Sequence, residues 1–204
     1  MVRVIGVVQS KGGAGKTTTA MSLLGGLQEL GKSAALFDVD SDEPDSHTWS
    51  QNGEYFDSVF KVDHKDLKQE VEAKKESNQF EYIILDTPGD LKSATMKALS
   101  LSKLCIIPLQ PSGMDLAGAI EVEDLCQTLN IDYRFILVCS SNTINTRDVM
   151  RILDERPSIK TDIPRSVHFV NAFNEGSYIG DVAKNTKSHI AIKKVVKELI
   201  EITK

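Results

Sequence analysis

Hydrophobic residues along the chain occur in short, nearly unbroken runs that alternate with longer amphipathic stretches. The runs are rich in β-branched residues, a pattern typical of strands in a parallel sheet covered on both faces. The predicted strands are 2–8, 33–39, 81–86, 104–109, 134–139 and 166–170. In the stretches between them, apolar residues recur with the spacing of a helix face. The predicted helices are 16–30, 65–76, 92–101, 114–129, 146–155 and 188–203.

This alternation of strands and helices predicts right-handed β–α–β crossovers. We therefore expect an α/β fold with a doubly wound, mostly parallel sheet and helices on both faces. Ligands of such sheets bind beyond the carboxyl ends of the strands. No repeat, low-complexity tract or linker interrupts the pattern, so we expect residues 1–204 to form one domain.

Composition supports a folded domain and excludes other classes of protein. The 204 residues are 41% hydrophobic and 26% charged, unlike a disordered chain. No apolar run approaches the roughly 20 residues of a membrane span, and the N-terminus lacks a signal-peptide pattern, so we expect a cytoplasmic protein. The net charge of −5 divides into −8 for residues 1–144 and +3 for residues 145–204. The basic last quarter is a candidate nucleic-acid surface, and lysines that only solvate helices are the alternative.

Cysteine and histidine residues indicate no metal site. The three cysteines lie in apolar stretches at wide spacings, which is typical of reduced core thiols: Cys105, Cys126 and Cys139. The four histidines are scattered along the chain: His47, His64, His168 and His189. Neither set has the spacing of metal ligands.

A glycine-rich segment between the first strand and the first helix is the strongest functional signal. It reads Gln9-Ser10-Lys11-Gly12-Gly13-Ala14-Gly15-Lys16-Thr17-Thr18. Backbone N–H groups of such a loop converge with a helix N-terminus on one point, which favours phosphate. As in a P-loop, Lys16 is expected to reach the β- and γ-phosphates and the Thr17 hydroxyl to bind Mg²⁺. Ser10 stands where the standard motif has glycine, and a second lysine, Lys11, precedes the glycine pair.

The segment KGGAGKTT resembles the deviant Walker A motif of the ParA/MinD family of partition and positioning ATPases. The resemblance is closest to small ParA-type proteins without an N-terminal DNA-binding domain, and it implies a P-loop NTPase-like fold with ATP and Mg²⁺ as cofactors. It implies that the nucleotide is held by Lys11, Gly12, Gly13, Ala14, Gly15, Lys16, Thr17 and Thr18. The family's signature lysine, here Lys11, crosses the interface of an ATP-bound homodimer to reach the partner's nucleotide. Lys11 and Lys16 are thus expected catalytic residues, and a side chain at Gly12 is expected to obstruct the dimer.

The second strand ends in Asp38-Val39-Asp40, which resembles the family's switch segment. The resemblance implies that Asp40 acts in catalysis by orienting the attacking water and that Asp38 supports the Mg²⁺ shell. The family usually continues with Pro-Gln, whereas this chain continues with Ser41-Asp42.

The alternating aspartates of this segment also suggest a calcium loop. That interpretation fails because Glu43 stands at the sixth position, where glycine is required, and Trp49 at the twelfth, where glutamate is required.

The third strand ends in Asp86, followed by Thr87-Pro88-Gly89, and resembles a Walker B motif. Its carboxylate is expected to hold Mg²⁺ through water. Buried strands often end in aspartate at a turn, so the motif alone is weak evidence. Together with the glycine-rich loop it favours a metal site formed by Thr17, Asp38 and Asp86.

Two later segments resemble the family less closely. Residues 106–119 are similar to a loop of the dimer face, and a proline-terminated strand followed by an N-capped helix is the alternative. Residues 163–165 and 170–180 resemble the late loop that holds the adenine base.

Other features distinguish branches of the family. The last predicted helix has an apolar stripe, which favours a helix docked on the core over the membrane anchor of MinD-like relatives, since neither Trp nor Phe accompanies it. The paired cysteines that hold an iron–sulfur cluster in reductase-type relatives are missing. No helix-turn-helix precedes Val2, so we expect no autoregulation by sequence-specific DNA binding.

The resulting hypothesis is a ParA-like ATPase switch, cytoplasmic and nucleoid-associated. ATP drives dimerisation, the dimer binds double-stranded DNA without sequence preference, and a ParB-like or cargo-adaptor partner stimulates slow hydrolysis. Candidate DNA contacts are Lys160, Arg165, Lys184, Lys187, Lys193, Lys194 and Lys197. The alternatives are a MinD-like switch on a membrane surface and a metabolic P-loop enzyme such as a carboxylating synthetase or small-molecule kinase.

Overall fold

The computed structural model describes residues 2–204, and within them seven parallel strands form one continuous sheet. The spatial order of the strands is β3-β2-β4-β1-β5-β6-β7. Their bounds are β1 Arg3–Val7, β2 Ala34–Asp38, β3 Val59–Lys61, β4 Tyr82–Asp86, β5 Leu104–Leu109, β6 Asp132–Ser140 and β7 Ile163–Pro164. Strands lie on both sides of β1, with β4, β2 and β3 on one side and β5, β6 and β7 on the other, as in a doubly wound sheet, which confirms the predicted fold class.

Helices connect successive strands and cover both faces of the sheet. Their bounds are α1 Lys16–Glu29, α2 Asp45–Gln51, α3 Leu67–Ser77, α4 Ser93–Leu101, α5 Gly113–Leu129, α6 Ile144–Asp154, α7 His168–Asn174, α8 Ile179–Val182 and α9 Lys187–Ile202. None of the helices in the part of the chain described is both long enough and apolar enough to cross a membrane.

The register of the central strands brings the predicted motifs to one edge of the sheet. Val7, the last residue of β1, pairs with Asp86 on β4 and with Ile106 on β5. Asp38, the last residue of β2, also pairs with Asp86. The glycine-rich loop and both strand-ending aspartates therefore leave the sheet side by side.

Helix α1 lies against the sheet and is covered in turn by α9. Leu23, Leu24 and Leu27 of α1 are fully buried, and so are Ile192 and Val196 of α9. The two helices approach closely at Gly26, where a Cβ atom would stand 2.7 Å from the Val196 side chain. The apolar stripe of α9 is thus packed in the core, as the docked-helix interpretation expects.

The structure corrects the predicted strand at 166–170. The edge strand is β7, Ile163–Pro164, and the following residues turn into α7. Val167 and Val170 are β-branched but lie on the exposed side, whereas Phe169 and Phe173 pack against the core. Spacing of the two phenylalanines on one helix face outweighs the local strand propensity.

Three further short elements, α2, β3 and α8, were not predicted. Helix α2 has a single large apolar residue, Trp49, so its sequence carries little periodicity. The three cysteines are free thiols, with Cys105 and Cys126 buried and Cys139 half-buried, as predicted.

Candidate nucleotide site

The glycine-rich loop joins β1 to α1 through backbone that only glycine adopts without strain. Gly13 and Gly15 have φ angles of +75° and +89°, in the left-handed region. Gly15 is the N-cap of α1 and supplies no side chain, so the first N–H groups of the helix remain available to a ligand. The loop therefore has the form of an anion site.

Glutamine side chains fasten the loop to the segment between β5 and α5. The buried Gln9 accepts a hydrogen bond from the Ser10 N–H at 2.8 Å and donates to the Pro108 carbonyl at 3.0 Å. Gln110 donates to the Gly13 carbonyl at 2.6 Å. The predicted 106–119 segment thus forms one unit with the loop. Sequence reasoning assigned no role to either glutamine.

The two lysines of the loop differ in environment. Lys16 is buried, and its ammonium group donates to the Lys11 carbonyl at 3.1 Å. Burial lowers the pKa of Lys16, and the negative charges of Asp86 and Asp40 partly offset that effect. Lys11 is exposed. One lysine is thus positioned inside the site and the other faces outward.

A polar cavity of about 280 Å³ lies in front of the loop. It is lined by Gly12, Gly13, Gly15, Lys16, Thr17, Thr18, Asp40, Glu43, Asp45, Asp86, Thr87 and Gly89. The predicted nucleotide-binding residues Lys11 and Ala14 are not among the lining residues, and Ala14 is buried beneath the loop. Gly89 packs against the loop, since a Cβ atom there would lie 3.2 Å from Gly12. The cavity brings the glycine-rich loop, the Asp40 segment and the turn after β4 together.

Asp86 is a buried carboxylate with one unsatisfied oxygen. Its Oδ2 atom accepts a hydrogen bond of 2.5 Å from the Ser46 hydroxyl, whereas Oδ1 has no hydrogen-bond partner among residues 2–204. Burial raises the pKa of Asp86 to about 7, and the Ser46 hydrogen bond opposes the shift. Such a group favours a bound cation or a protonated carboxyl.

Asp38 lies beside Asp86 and behind the cavity wall. Its Oδ1 accepts from the Asp40 N–H at 3.1 Å and its Oδ2 from the His47 N–H at 2.9 Å. Burial raises the pKa of Asp38 to about 6, while these backbone hydrogen bonds oppose the shift. Both oxygens of Asp38 thus accept backbone hydrogen bonds, and Asp38 is not among the residues that line the cavity.

The donor set fits Mg²⁺ held together with a nucleotide. No group of three or more His, Cys, Asp or Glu within the described range 2–204 is arranged to hold a metal alone. Mg²⁺ commonly takes one or two carboxylates and completes its shell with water and phosphate oxygens. The orphaned Asp86 Oδ1, with Thr17 lining the same cavity, provides such a partial shell.

Asp40 shapes the segment that departs from the family pattern. Its Oδ1 accepts hydrogen bonds from the Asp42 N–H at 3.1 Å and the Glu43 N–H at 3.0 Å. The resulting turn leads into α2 at Asp45. Asp40 is half-buried and lines the cavity, so its carboxylate faces both the turn and the ligand space.

Aromatic residues of α7 lie next to the glycine-rich loop. A second cavity, of about 300 Å³, is lined by Thr17, Thr18, Asp45, Trp49, Phe169, Val170 and Phe173. It shares Thr17, Thr18 and Asp45 with the polar cavity. Of the residues 163–165 and 170–180, which resemble the family's adenine loop, only Val170 and Phe173 line this cavity.

The structure places the candidate DNA contacts in three different environments. Lys187, Lys194 and Lys197 are exposed, and their spacing places them along one stripe of α9. Lys193 instead pairs with Glu29 of α1 at 3.1 Å. The remaining candidates are exposed and lie on loops: Lys160, Arg165 and Lys184.

We expect Asp86→Asn to make the metal-free protein less sensitive to alkaline pH. Asp86 has a folded pKa of about 7 against an ordinary 3.8, so its stabilising effect is complete below about pH 4 and is lost as the pH rises through about 7. Asparagine still accepts from Ser46 but does not titrate. In EDTA, circular dichroism should show the wild-type unfolding temperature falling more between pH 5 and pH 8, by roughly 5 °C. Equal falls in the two proteins would contradict the raised pKa.

Comparison with known proteins places this site in a family. Residues 5–197 match the CobQ/CobB/MinD/ParA nucleotide binding domain. Protein virC1 of Rhizobium radiobacter is 32% identical over 119 residues, 54% of this chain and 50% of virC1. Maintenance of carboxysome distribution protein A of Gloeobacter kilaueensis is 32% identical over 120 residues, 58% of this chain and 54% of that protein. The chain spans about half the length of these curated relatives.

A solved structure shares the whole fold. The septum site-determining protein MinD of Pyrococcus horikoshii, complexed with Mg-ADP, has a TM-score of 0.86 at 19% identity, over 100% of this chain and 98% of that chain. The resemblance read from KGGAGKTT is thereby confirmed at the level of the family. By the match over residues 5–197, the chain belongs to the CobQ/CobB/MinD/ParA family of nucleotide-binding domains.

Proposed function

We propose that the protein is a ParA-like ATPase switch that couples Mg-ATP binding to dimerisation and to DNA binding without sequence preference. The observation that carries the proposal is the polar cavity in which the glycine-rich loop and Lys16 face the buried carboxylate of Asp86. It combines donors for phosphate with an unsatisfied oxygen for a cation.

Each cavity residue has a role in this proposal. The loop N–H groups and the Lys16 ammonium bind the β- and γ-phosphates. Thr17 and Asp86 hold Mg²⁺, with Asp38 behind them. Mg²⁺ supplies charge neutralisation at the phosphates when bound. Asp40 accepts a hydrogen bond from the attacking water and orients it toward the γ-phosphate.

The exposed side of the loop supports the dimer. Lys11 is exposed, and a Cβ atom at Gly12 or Gly13 would meet nothing within 4 Å among residues 2–204. Met114, at the start of α5, is 74% exposed on the segment that Gln110 fastens to the loop. A second copy facing this surface brings its Lys11 to the nucleotide, where a cation offsets the charge of two closely spaced triphosphates.

The stripe of Lys187, Lys194 and Lys197 supports the DNA-binding part of the proposal. In this proposal, ammonium groups along one face of the helix contact backbone phosphates and read no bases. A cargo-bound adaptor that accelerates hydrolysis returns the dimer to monomers and releases the DNA. The name of the carboxysome distribution protein describes positioning of a cargo by that relative, and it does not specify a cargo for this chain.

Lys11→Ala tests the dimer. Because Lys11 contributes no cavity lining, we expect the variant to bind ATP within about threefold of the wild-type Kd by calorimetry. Light scattering should show a monomer in Mg-ATP, and hydrolysis should fall by at least about tenfold. The matched control, Lys16→Ala, should lose ATP binding itself. A Lys11→Ala variant that still dimerises with ATP at normal turnover would show the assignment of Lys11 to be wrong.

Lys194→Ala tests the DNA surface, with Lys193→Ala as its matched control. Both variants remove one charge from α9, but Lys193 is already paired with Glu29. With Mg-ATP and non-specific duplex DNA, Lys194→Ala should weaken binding several-fold and lower the slope of log K against log salt by about 1, while Lys193→Ala stays near the wild type. An equal loss of DNA affinity in both variants would show that DNA does not bind along the stripe of Lys187, Lys194 and Lys197.

A further inference from the structure

The first turn of α2 is held by the two carboxylates of the candidate metal site. The Ser46 hydroxyl, fully buried, donates to Asp86 Oδ2 at 2.5 Å, and the His47 N–H donates to Asp38 Oδ2 at 2.9 Å. Ser46 takes one lone pair of Oδ2, whereas Oδ1 accepts no hydrogen bond within residues 2–204. The hydroxyl therefore orients the carboxylate and leaves Oδ1 as the freer oxygen for a cation.

The far end of α2 is held by residues 168–182, which we call the late segment. The Trp49 indole N–H donates to the Ser177 carbonyl at 3.0 Å, and its ring meets Phe173 edge-on at 5.6 Å between centroids. The Asn52 amide donates to the Phe173 carbonyl at 2.9 Å. The backbone at Gly53, just after α2, also lies close to the backbone of the late segment, since a Cβ atom at Gly53 would stand 2.3 Å from the Glu175 carbonyl oxygen.

The same late segment is fastened to α9. Tyr178 donates through its hydroxyl to Glu29 of α1 at 3.2 Å. Glu29 also contacts His189 at 2.9 Å and pairs with Lys193 at 3.1 Å, both on α9. Direct contacts therefore run from Asp86 through α2 to the helix that bears the lysine stripe.

We propose that α2 couples occupancy of the Mg²⁺ site to the late segment, with Ser46 as the positioning residue of Asp86. Binding of Mg-nucleotide fixes the orientation of the Asp86 carboxylate, and the hydrogen bond from Ser46 then fixes the position of α2. Because Trp49 of α2 contacts the late segment, residues 168–182 become more ordered. By linkage, loss of the Ser46 contact weakens Mg²⁺ binding by the same free energy by which it weakens this ordering. The inference rests on the proposed function, because it requires Mg-nucleotide to bind at the glycine-rich loop.

Trp49 is the only tryptophan of the chain, so its fluorescence reports the position and environment of α2. Mg²⁺ is titrated into protein saturated with ADP, which lacks the γ-phosphate that the dimer needs. The wild type should show a saturable change in emission. Ser46→Ala should raise the Mg²⁺ midpoint about tenfold, as expected for loss of a partner of a metal-binding carboxylate. Ser50→Ala is the matched control, because it removes another buried hydroxyl of α2 that bonds only to the His47 carbonyl.

Hydrogen exchange measured with ADP, with and without Mg²⁺, tests the transmission. In the wild type and in Ser50→Ala, Mg²⁺ should increase protection of residues 168–182. In Ser46→Ala this gain should be lost. Asn52→Ala alters an exposed residue and so leaves folding intact; it should keep the Mg²⁺ protection of the glycine-rich loop while losing that of 168–182.

The outcomes separate this inference from the proposed function. If ADP protects no amide of residues 10–18, nucleotide binding itself is wrong. If those amides are protected but Mg²⁺ changes neither Trp49 emission nor residues 168–182, the coupling through α2 is wrong. Ser46→Ala and Ser50→Ala with the same Mg²⁺ midpoint would overturn the role of Ser46.

Discussion

The arrangement of the candidate site depends on two carboxylates that are buried side by side. Asp38 and Asp86 are paired in register at the ends of neighbouring strands, and both are almost fully buried. Burial and mutual repulsion disfavour their charged forms, so the fold surrounds them with donors. Backbone N–H groups and the Ser46 hydroxyl supply those donors, and their positions determine where α2 lies. One oxygen is still left for a cation.

The glycine-rich loop supplies the charge of opposite sign. A helix N-terminus and the buried Lys16 face Asp86 across one cavity, so an anion and a cation bound together satisfy both sides at once. Mg-ATP has this combination of charges. The proposed switch requires this property, because a cavity with both charges favours a metal–nucleotide complex over either component alone.

Local motifs made much of this site predictable. Gly13, Gly15 and Lys16 could be identified because a strand, a glycine-rich turn and a helix are contiguous in the chain, and Asp38 and Asp86 because each ends an apolar run. Ser46 and Trp49 could not, since their partners lie 40 and 128 residues away. The predicted strand at 166–170 was wrong for a related reason: valines favour a strand locally, but the packing of Phe169 and Phe173 makes α7 a helix.

The dependence of ATP affinity on Mg²⁺ tests the central claim most directly. Calorimetry with ATP, in Mg²⁺ and in EDTA, is to be compared for the wild type and Asp86→Asn. We expect Mg²⁺ to tighten wild-type binding by at least about tenfold, or about 1.4 kcal/mol, and Asp86→Asn to lose that gain while keeping its affinity in EDTA. A wild type indifferent to Mg²⁺, or a variant that keeps the full gain, would contradict the account.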